Sequence, residues 1–338
     1  LIKPVRPPRI PAPRWLPGGH AQTIWPKLFA RQHHQAPPAF LRERWDTPDG
    51  DFVDCDWLPQ TAAMQAHGQE RPLLVLFHGL EGSSASHYSQ AFASHAHQLG
   101  WGFAIPHFRG CSGELNQAPR AYHSGDFEEI GWMLRQVRER HQGPIVAVGV
   151  SLGGNALLRW AQEAGTQARH TVRAVAAVSA PLDLAAAGIA IHQGLNRLIY
   201  TRYFLRSMVP KALKKLEQHP GLFDAERMRR AKSLTDFDDC FTAPLHGFAN
   251  AQDYYARCSA GERLHKLRVP SLVLNARNDP FVPAQSLPRP FNLTEAPVTL
   301  WQPDHGGHVG FPTGGWPASN LGLPASVCLW LNQFLHHG

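Results

Sequence analysis

Gly149-Val150-Ser151-Leu152-Gly153 lies between an apolar run and an amphipathic one. Pro144-Ile145-Val146-Ala147-Val148 reads as a short buried strand, and Leu152–Glu163 as a helix. The backbone must turn sharply between them, and small residues two before and two after the serine leave room for that turn. A strand–Gly-x-Ser-x-Gly–helix junction lifts the serine Oγ out of a sheet and sets it near a helix N-terminus. Its flanks make this junction far more specific than the pentapeptide alone.

Outward from Ser151, strands and helices alternate. Leu41–Trp57 alternates around Pro48-Asp49-Gly50 and reads as an antiparallel hairpin. Leu73–Phe77 is a strand, Tyr88–Leu99 a helix ending at Gly100, and Phe103–Pro106 a strand. Phe127–His141 carries Ile130, Leu134 and Val137 at helical spacing, and Val172–Val178 is the strand after the Ser151 helix. This is the α/β pattern of a mostly parallel central sheet with helices on both faces. The alternation stops near Asp183. Ile189–Ser207, Pro210–Gln218 and Ala225–Ser233 look helical, and strands resume at Ser271–Asn275 and Val298–Trp301, before a last helix over Ala325–Leu335. Residues 1–184 therefore read as an N-terminal arm and the first part of the core. Residues 185–258 read as an inserted helical cap, and 259–338 as the rest of the core. In the Pro-rich arm of residues 1–40, Trp15, Ile24, Trp25, Leu28 and Phe29 call for burial against the domain.

A serine hydroxyl needs a base to take its proton, and the base needs a third group to fix its tautomer. After an elbow of this kind the acid and then the histidine follow at the ends of later strands. Val269–Leu274 runs as a strand into Asn275-Ala276-Arg277-Asn278-Asp279, which makes Asp279 the candidate acid. The strand Val298–Trp301 leads into Asp304-His305-Gly306-Gly307-His308, which makes His308 the candidate base. Asp183 is a second possible acid, although it reads better as an N-cap. His305 and His308 form an H-x-x-H pair, but the intervening glycines favour a loop and no third ligand is near, so neither metal nor cofactor is expected. Two backbone N–H groups must hold the oxyanion. Leu152, directly after the serine, is one candidate, and Leu80, in His78-Gly79-Leu80-Glu81-Gly82-Ser83-Ser84 after the first parallel strand, is the other. Neither glycine cluster matches a phosphate-binding pattern. Phe108-Arg109-Gly110-Cys111-Ser112-Gly113 reads as a structural turn.

Composition narrows the class. The chain has 338 residues, 43% of them hydrophobic and 17% charged, as expected of a globular protein. Leu1–Arg9 lacks the apolar core of a signal peptide, and no apolar run is long enough to span a bilayer. Five scattered cysteines without a C-x-x-C pair argue against a disulfide framework and for a cytoplasmic location. The net charge is +7, but the basic residues are dispersed and accompany no nucleic-acid module, so nucleic acid is not an expected partner. The cap carries Leu195, Leu198, Ile199, Phe204 and Leu205, which read first as packing over the pocket and second as a weak membrane-surface contact.

Several stretches together resemble the α/β-hydrolase superfamily, and within it the YheT-like branch related to the plant EMB8-type proteins. They are Gly18-Gly19-His20-Ala21-Gln22-Thr23-Ile24, the His78–Ser84 and His107–Gly113 stretches, Gly149–Asn155, Gly306–Phe311 and, in the cap, Phe237–Phe248. The resemblance covers nearly the whole chain. It implies the α/β-hydrolase fold and a Ser-Asp-His hydrolase with the triad at Ser151, Asp279 and His308. Members are associated with carboxylic ester and acylglycerol hydrolysis. The expected activity is therefore a serine carboxylesterase on short- to medium-chain acyl esters or lipids. The alternatives are a lipid acyltransferase or thioesterase on the same triad, and a non-catalytic binding scaffold.

Overall fold

The computed structural model describes residues 7–59, 71–290, 293 and 296–335; Leu1–Arg6 of the N-terminal stretch discussed above lie outside them. Eight strands form one sheet in the order β1-β2-β4-β3-β5-β6-β7-β8. They are β1 Leu41–Asp46, β2 Phe52–Trp57, β3 Leu73–Phe77, β4 Gly102–Pro106, β5 Ile145–Val150, β6 Ala174–Val178, β7 Ser271–Leu274 and β8 Val298–Trp301. The hairpin β1–β2 joins β4 antiparallel at one edge. From β4 to β8 every pairing is parallel, with Phe77 opposite Gly149 and Val150 opposite Val178.

The central strands are fully buried, so their sequences are continuous apolar runs, and period-two alternation decides which helix each residue meets. Val75, Phe77, Ala147, Val175 and Val273 face a core shared with Ile130, Leu134 and Val137 of α3 (Phe127–Arg140) and Leu157, Leu158 and Ala161 of α4 (Leu152–Ala164). Their neighbours Leu74, Leu76, Val146, Val148 and Leu272 face the opposite core. There they meet Phe92 and Ala96 of α2 (His87–Gln98) and Val327, Trp330 and Leu331 of α8 (Gly322–Asn332). Both faces of the sheet are thus covered, as the sequence pattern requires.

Between β6 and β7 the described residues form helices and turns without a strand. These include α5 (Leu184–Ile191), α6 (Arg202–Gln218) and α7 (Ala251–Cys258). Their detail departs from the sequence reading. Gly194, at φ 49°, interrupts the helical run expected over Ile189–Ser207. Conversely, α6 continues through Pro210, where a boundary was expected. The segment Ala225–Ser233 is helical only over Ala225–Arg229.

The N-terminal arm contains α1 (Gly19–Leu28), a helix that its weak periodicity did not reveal. The arm also corrects the expected burial. Ile24 and Trp25 are half-buried, but Trp15, Leu28 and Phe29 are exposed: α1 buries Gln22 and Pro26 and leaves Leu28 outward, and Trp15 and Phe29 flank it on its open side. In the segment expected to form a cap, Leu195, Leu198 and Ile199 are likewise exposed, whereas Phe204 and Leu205 pack partly buried against Met208, Phe237 and Phe241. Among the described residues no helix is long and apolar enough to cross a membrane.

Candidate active site

Ser151 follows β5 and precedes α4, with φ 53° and ψ −120°. A side chain rarely tolerates this conformation, which costs on the order of 1–3 kcal/mol. Its N–H donates to Val178 O at 2.8 Å, which fixes the turn to β6. Both flanking glycines are sterically required. A Cβ on Gly149 would lie 2.4 Å from Gly153 O, and one on Gly153 would lie 2.4 Å from His78 O. The elbow therefore closes only because these two positions lack side chains.

The three residues expected to share a site do come together. Ser151 Oγ lies 2.9 Å from His308 Nε2, and His308 Nδ1 lies 2.9 Å from Asp279 Oδ2. The other oxygen, Asp279 Oδ1, accepts the N–H groups of Phe281 and Val282 at 2.7 and 3.3 Å. With the carboxylate as acceptor, Nδ1 carries the imidazole proton and Nε2 faces the hydroxyl as an acceptor. Asp183, the alternative acid, caps α5 instead by accepting Ala186 N–H at 2.9 Å. His305 is exposed while His308 is buried, and both nitrogens of His308 are already engaged.

Leu80 and Leu152 line the same cavity as Ser151 and His308. Among the described residues neither of their N–H groups has an acceptor in the chain. For Leu152 this follows from its place at the first turn of α4. For Leu80 it follows from a loop pinned on both sides. Gly79 N–H donates to Tyr88 Oη at 2.9 Å, and Glu81 N–H donates to Tyr122 Oη at 2.9 Å. His78 is completely buried. Its Nε2 accepts Phe108 N–H at 3.0 Å, so Nδ1 bears the proton and donates to Gly79 O at 2.8 Å. Burial, then the neighbouring His107, pushes the His78 pKa down to about 3, so this imidazole is a neutral strut. Glu81, at φ 56°, turns its carboxylate to Tyr122 Oη and to Lys211 Nζ of α6, at 3.0 and 2.9 Å.

Sequence reasoning missed the support beneath His308. Gln22 is 2% exposed, and its Oε1 accepts both Gly306 N–H and Asn278 Nδ2–H at 2.9 Å, while its Nε2 donates to Leu16 O. Asn278 Oδ1 accepts Gly307 N–H at 3.0 Å, and Thr23 Oγ1 accepts His308 N–H at 2.8 Å. Here α1 packs so closely that a Cβ on Gly19 would lie 1.8 Å from Asn278 O, and one on Gly310 would lie 1.7 Å from Gln22 O. The Gly18–Ile24 stretch carried a signal in the sequence, but its partners lie more than 250 residues away.

Arg109 and Cys111 are structural. The Arg109 guanidinium is buried on Asp51 and Glu129 and also meets Asp49. Burial pushes the Cys111 thiol up to about 12, far from a reactive thiolate. In the Phe237–Phe248 stretch, Asp238 lines the cavity beside Ser151 and accepts Thr242 Oγ1–H and Tyr255 Oη–H at 2.6 and 2.7 Å. Burial raises its pKa to about 6 against the lowering effect of those hydroxyls.

Residues 72–315 match the model of the alpha/beta hydrolase fold family. The chain is 39% identical over 319 residues to the putative esterase YheT of Escherichia coli (strain K12), covering 94% of this chain and 91% of that protein. It is 30% identical over 308 residues to phospholipase ABHD3 of Mus musculus, covering 89% and 74%. The solved Pyrococcus furiosus esterase Pf2001 shares the fold with a TM-score of 0.52 at 14% identity, covering 98% of this chain and 100% of that one. This chain belongs to the α/β-hydrolase fold family, on the branch that includes YheT.

Two outcomes follow from the supporting shells. Replacing Gln22→Ala leaves two buried donors without an acceptor and lowers the unfolding free energy by about 1–3 kcal/mol in urea titration; a loss below about 0.5 kcal/mol means the histidine loop carries itself. For Asp238, a folded pKa above the unfolded one means that the folded state binds more protons between about pH 4 and 6, so stability from this group falls as pH rises through that window. Asp238→Asn removes that loss. Its melting temperature relative to wild type should be higher at pH 7 than at pH 4.5, by an amount worth roughly 1–2 kcal/mol; an equal difference at both pH values contradicts the assignment.

Proposed function

We propose that this member of the α/β-hydrolase family is a serine carboxylesterase acting on short- to medium-chain acyl esters. The observation that carries the reading is the hydrogen-bonded series Ser151–His308–Asp279, which opens into a cavity with two unpaired backbone N–H groups. The esterase and phospholipase names of the relatives point the same way.

In this reading Ser151 Oγ attacks the ester carbonyl carbon as its proton passes to His308 Nε2. Asp279 keeps the Nδ1–H in place and stabilises the imidazolium. The carbonyl oxygen becomes an oxyanion held by the N–H groups of Leu80 and Leu152. As the tetrahedral intermediate collapses, His308 returns the proton to the departing alkoxide, and the alcohol leaves. Water then attacks the acyl-enzyme with His308 again as base, and Ser151 recovers its proton.

Two spaces meet at Ser151. One is a mostly apolar cavity of about 110 Å³, lined by Leu184, Ala187, Ile191, Met208 and Phe281, with Asp238 in its wall. Since a water molecule takes about 30 Å³ of liquid, this cavity holds only a few heavy atoms, which suits a short acyl chain. The other is an open groove of about 560 Å³, lined in part by Leu28, Ile199, Tyr203 and Phe281. It suits the larger alcohol part or a longer chain. The helices of residues 185–258 serve as the cap that walls both.

Ser151→Ala should reduce p-nitrophenyl butyrate turnover by at least about a thousandfold, and a fluorophosphonate probe should label Ser151 and no other residue. Turnover that persists at the wild-type level removes the assignment. Ala187→Leu fills the apolar cavity. It should lower the butyrate-to-acetate ratio of kcat/KM by about tenfold while acetate turnover is kept. An unchanged ratio places the acyl chain elsewhere.

A further inference from the structure

The mouth of the Ser151 groove is bordered by large apolar side chains that none of the described residues covers. Leu28 of α1, with Ile199 and Tyr203 from the segment across the opening, line the groove and are themselves exposed, Leu28 at 59%. The apolar surface continues outward on both sides. On one side Trp25 packs at ring-centroid distances of 4.5 Å from Phe29 and 4.8 Å from Trp316, and Trp15 packs on both tryptophans. Phe29 is 56% and Trp316 72% exposed. On the other side Leu195 and Leu198, four residues and one residue before Ile199, are exposed to solvent. Large apolar groups clustered around a site mouth mark a surface that meets an apolar partner.

Charge identifies the partner. The exposed apolar residues of the rim come from residues 15–32, 195–206 and Trp316; the first two stretches contain no aspartate or glutamate, and residues 79–88, which also line the groove, contain one, Glu81. The same stretches supply Lys27, Arg31, Arg197, Arg202 and Arg206, all exposed, and among the described residues none of these makes an ion pair. Lys27 lies across Tyr203, with Nζ 2.7 Å from the hydroxyl and 4.1 Å from the ring centroid. Among the described residues that line the groove the one carboxylate, Glu81, is already paired with Lys211. Tryptophan, tyrosine and leucine interleaved with unpaired cations suit a lipid–water interface with anionic head groups. A second copy of the chain fits less well, since two such faces would set cations against cations and close the groove.

We propose that this rim is a lipid-docking surface that seats the mouth of the Ser151 groove on an anionic membrane or lipid aggregate. Ester substrates would then pass from the lipid phase into the groove without crossing bulk water. Docking itself is independent of the chemistry, while this delivery role rests on the esterase reading.

Binding is measured by co-sedimentation of Ser151→Ala protein with equimolar phosphatidylglycerol–phosphatidylcholine vesicles and with phosphatidylcholine alone. The protein should bind the anionic vesicles preferentially, and binding should weaken as salt rises from about 0.1 M to about 1 M, where the screening length falls from about 10 to about 3 Å. The triple variant Phe29→Ser, Leu195→Ser, Leu198→Ser changes exposed positions outside the groove lining. It should bind at least about tenfold more weakly. Placed on active protein, the same changes should slow hydrolysis of vesicle-borne esters and leave p-nitrophenyl acetate turnover unaltered. Arg197→Glu, Arg202→Glu, Arg206→Glu provides an independent arm and should abolish the preference for anionic lipid. Absence of binding by the parent protein overturns the proposal, as does equal binding by both variants. A dimer that the apolar variant dissociates, in a protein that ignores vesicles, assigns the rim to a second copy instead. Failure of the esterase reading appears separately, as absent p-nitrophenyl acetate turnover in the active protein with vesicle binding intact.

Discussion

Holding Ser151 in a left-handed backbone conformation at the end of β5 is the constraint on which the rest of the molecule depends. The turn must be tight enough to start α4 at once, and it has no space for a side chain at Gly149 or Gly153. The strain is over-determined by the fold. β5 lies between β3 and β6 in register, its last residue pairs with Val178, and α4 is buried along Gly153–Gln162. Other residues with side chains at positive φ gather around the same point. Glu81 lies in the loop that presents Leu80, Ser179 directly follows β6, and Val309 and Phe311 follow His308. Ser179 Oγ in turn accepts Val309 N–H at 3.1 Å. Strain concentrated in several separate loops that meet at one place is the signature of a pre-organised site rather than of one awkward turn.

The core of this arrangement was legible in the sequence because its signals are local. A buried parallel strand is a short apolar run, and the loops that follow such strands carry the residues that meet at Ser151. Ser151, Asp279 and His308 each stand just after such a run, and so does Leu80. The hairpin announces itself by Pro48-Asp49-Gly50. The interlock of α1 with the histidine loop was not legible in this way. Gln22 and Thr23 sit in a stretch without a clean helical period, and their meaning comes from Asn278, Gly306 and His308. Nothing within a local window can supply that. The burial expected for Trp15, Leu28 and Phe29 failed for a related reason. Apolar character says that a side chain gains by leaving water, but not whether the cover belongs to the same molecule.

The polar groups near the site divide by what burial does to them. His78 is driven neutral and thereby becomes a reliable one-donor, one-acceptor strut for the Leu80 loop. Arg109 keeps its charge because Asp51, Glu129 and Asp49 surround it, which ties the turn after β4 to the hairpin. Lys215 likewise reaches from α6 to the carbonyls of Asn116 and Ala118. None of these side chains is placed to react, yet each fixes the path of a loop that borders the site.

Glu81 joins two parts of the structure that would otherwise be independent. Its backbone N–H and carboxylate are both held by Tyr122, next to Leu80, while the other carboxylate oxygen meets Lys211 of α6. The same helix begins one residue before Tyr203, which stands at the rim of the groove and packs edge-on to Phe204. Phe204 lines both the inner cavity and the groove and lies against Phe281, whose ring centroid is 4.1 Å from that of His308 in a tilted pair. A single helix therefore contacts the outer rim, the wall beside His308 and the loop that presents Leu80. Displacing α6 would have to break the Lys211–Glu81 pair and unpack Phe204 together. The apolar surface at the mouth and the loop that presents Leu80 are in this sense tied to the two ends of one helix, and the segment that walls the groove also braces that loop.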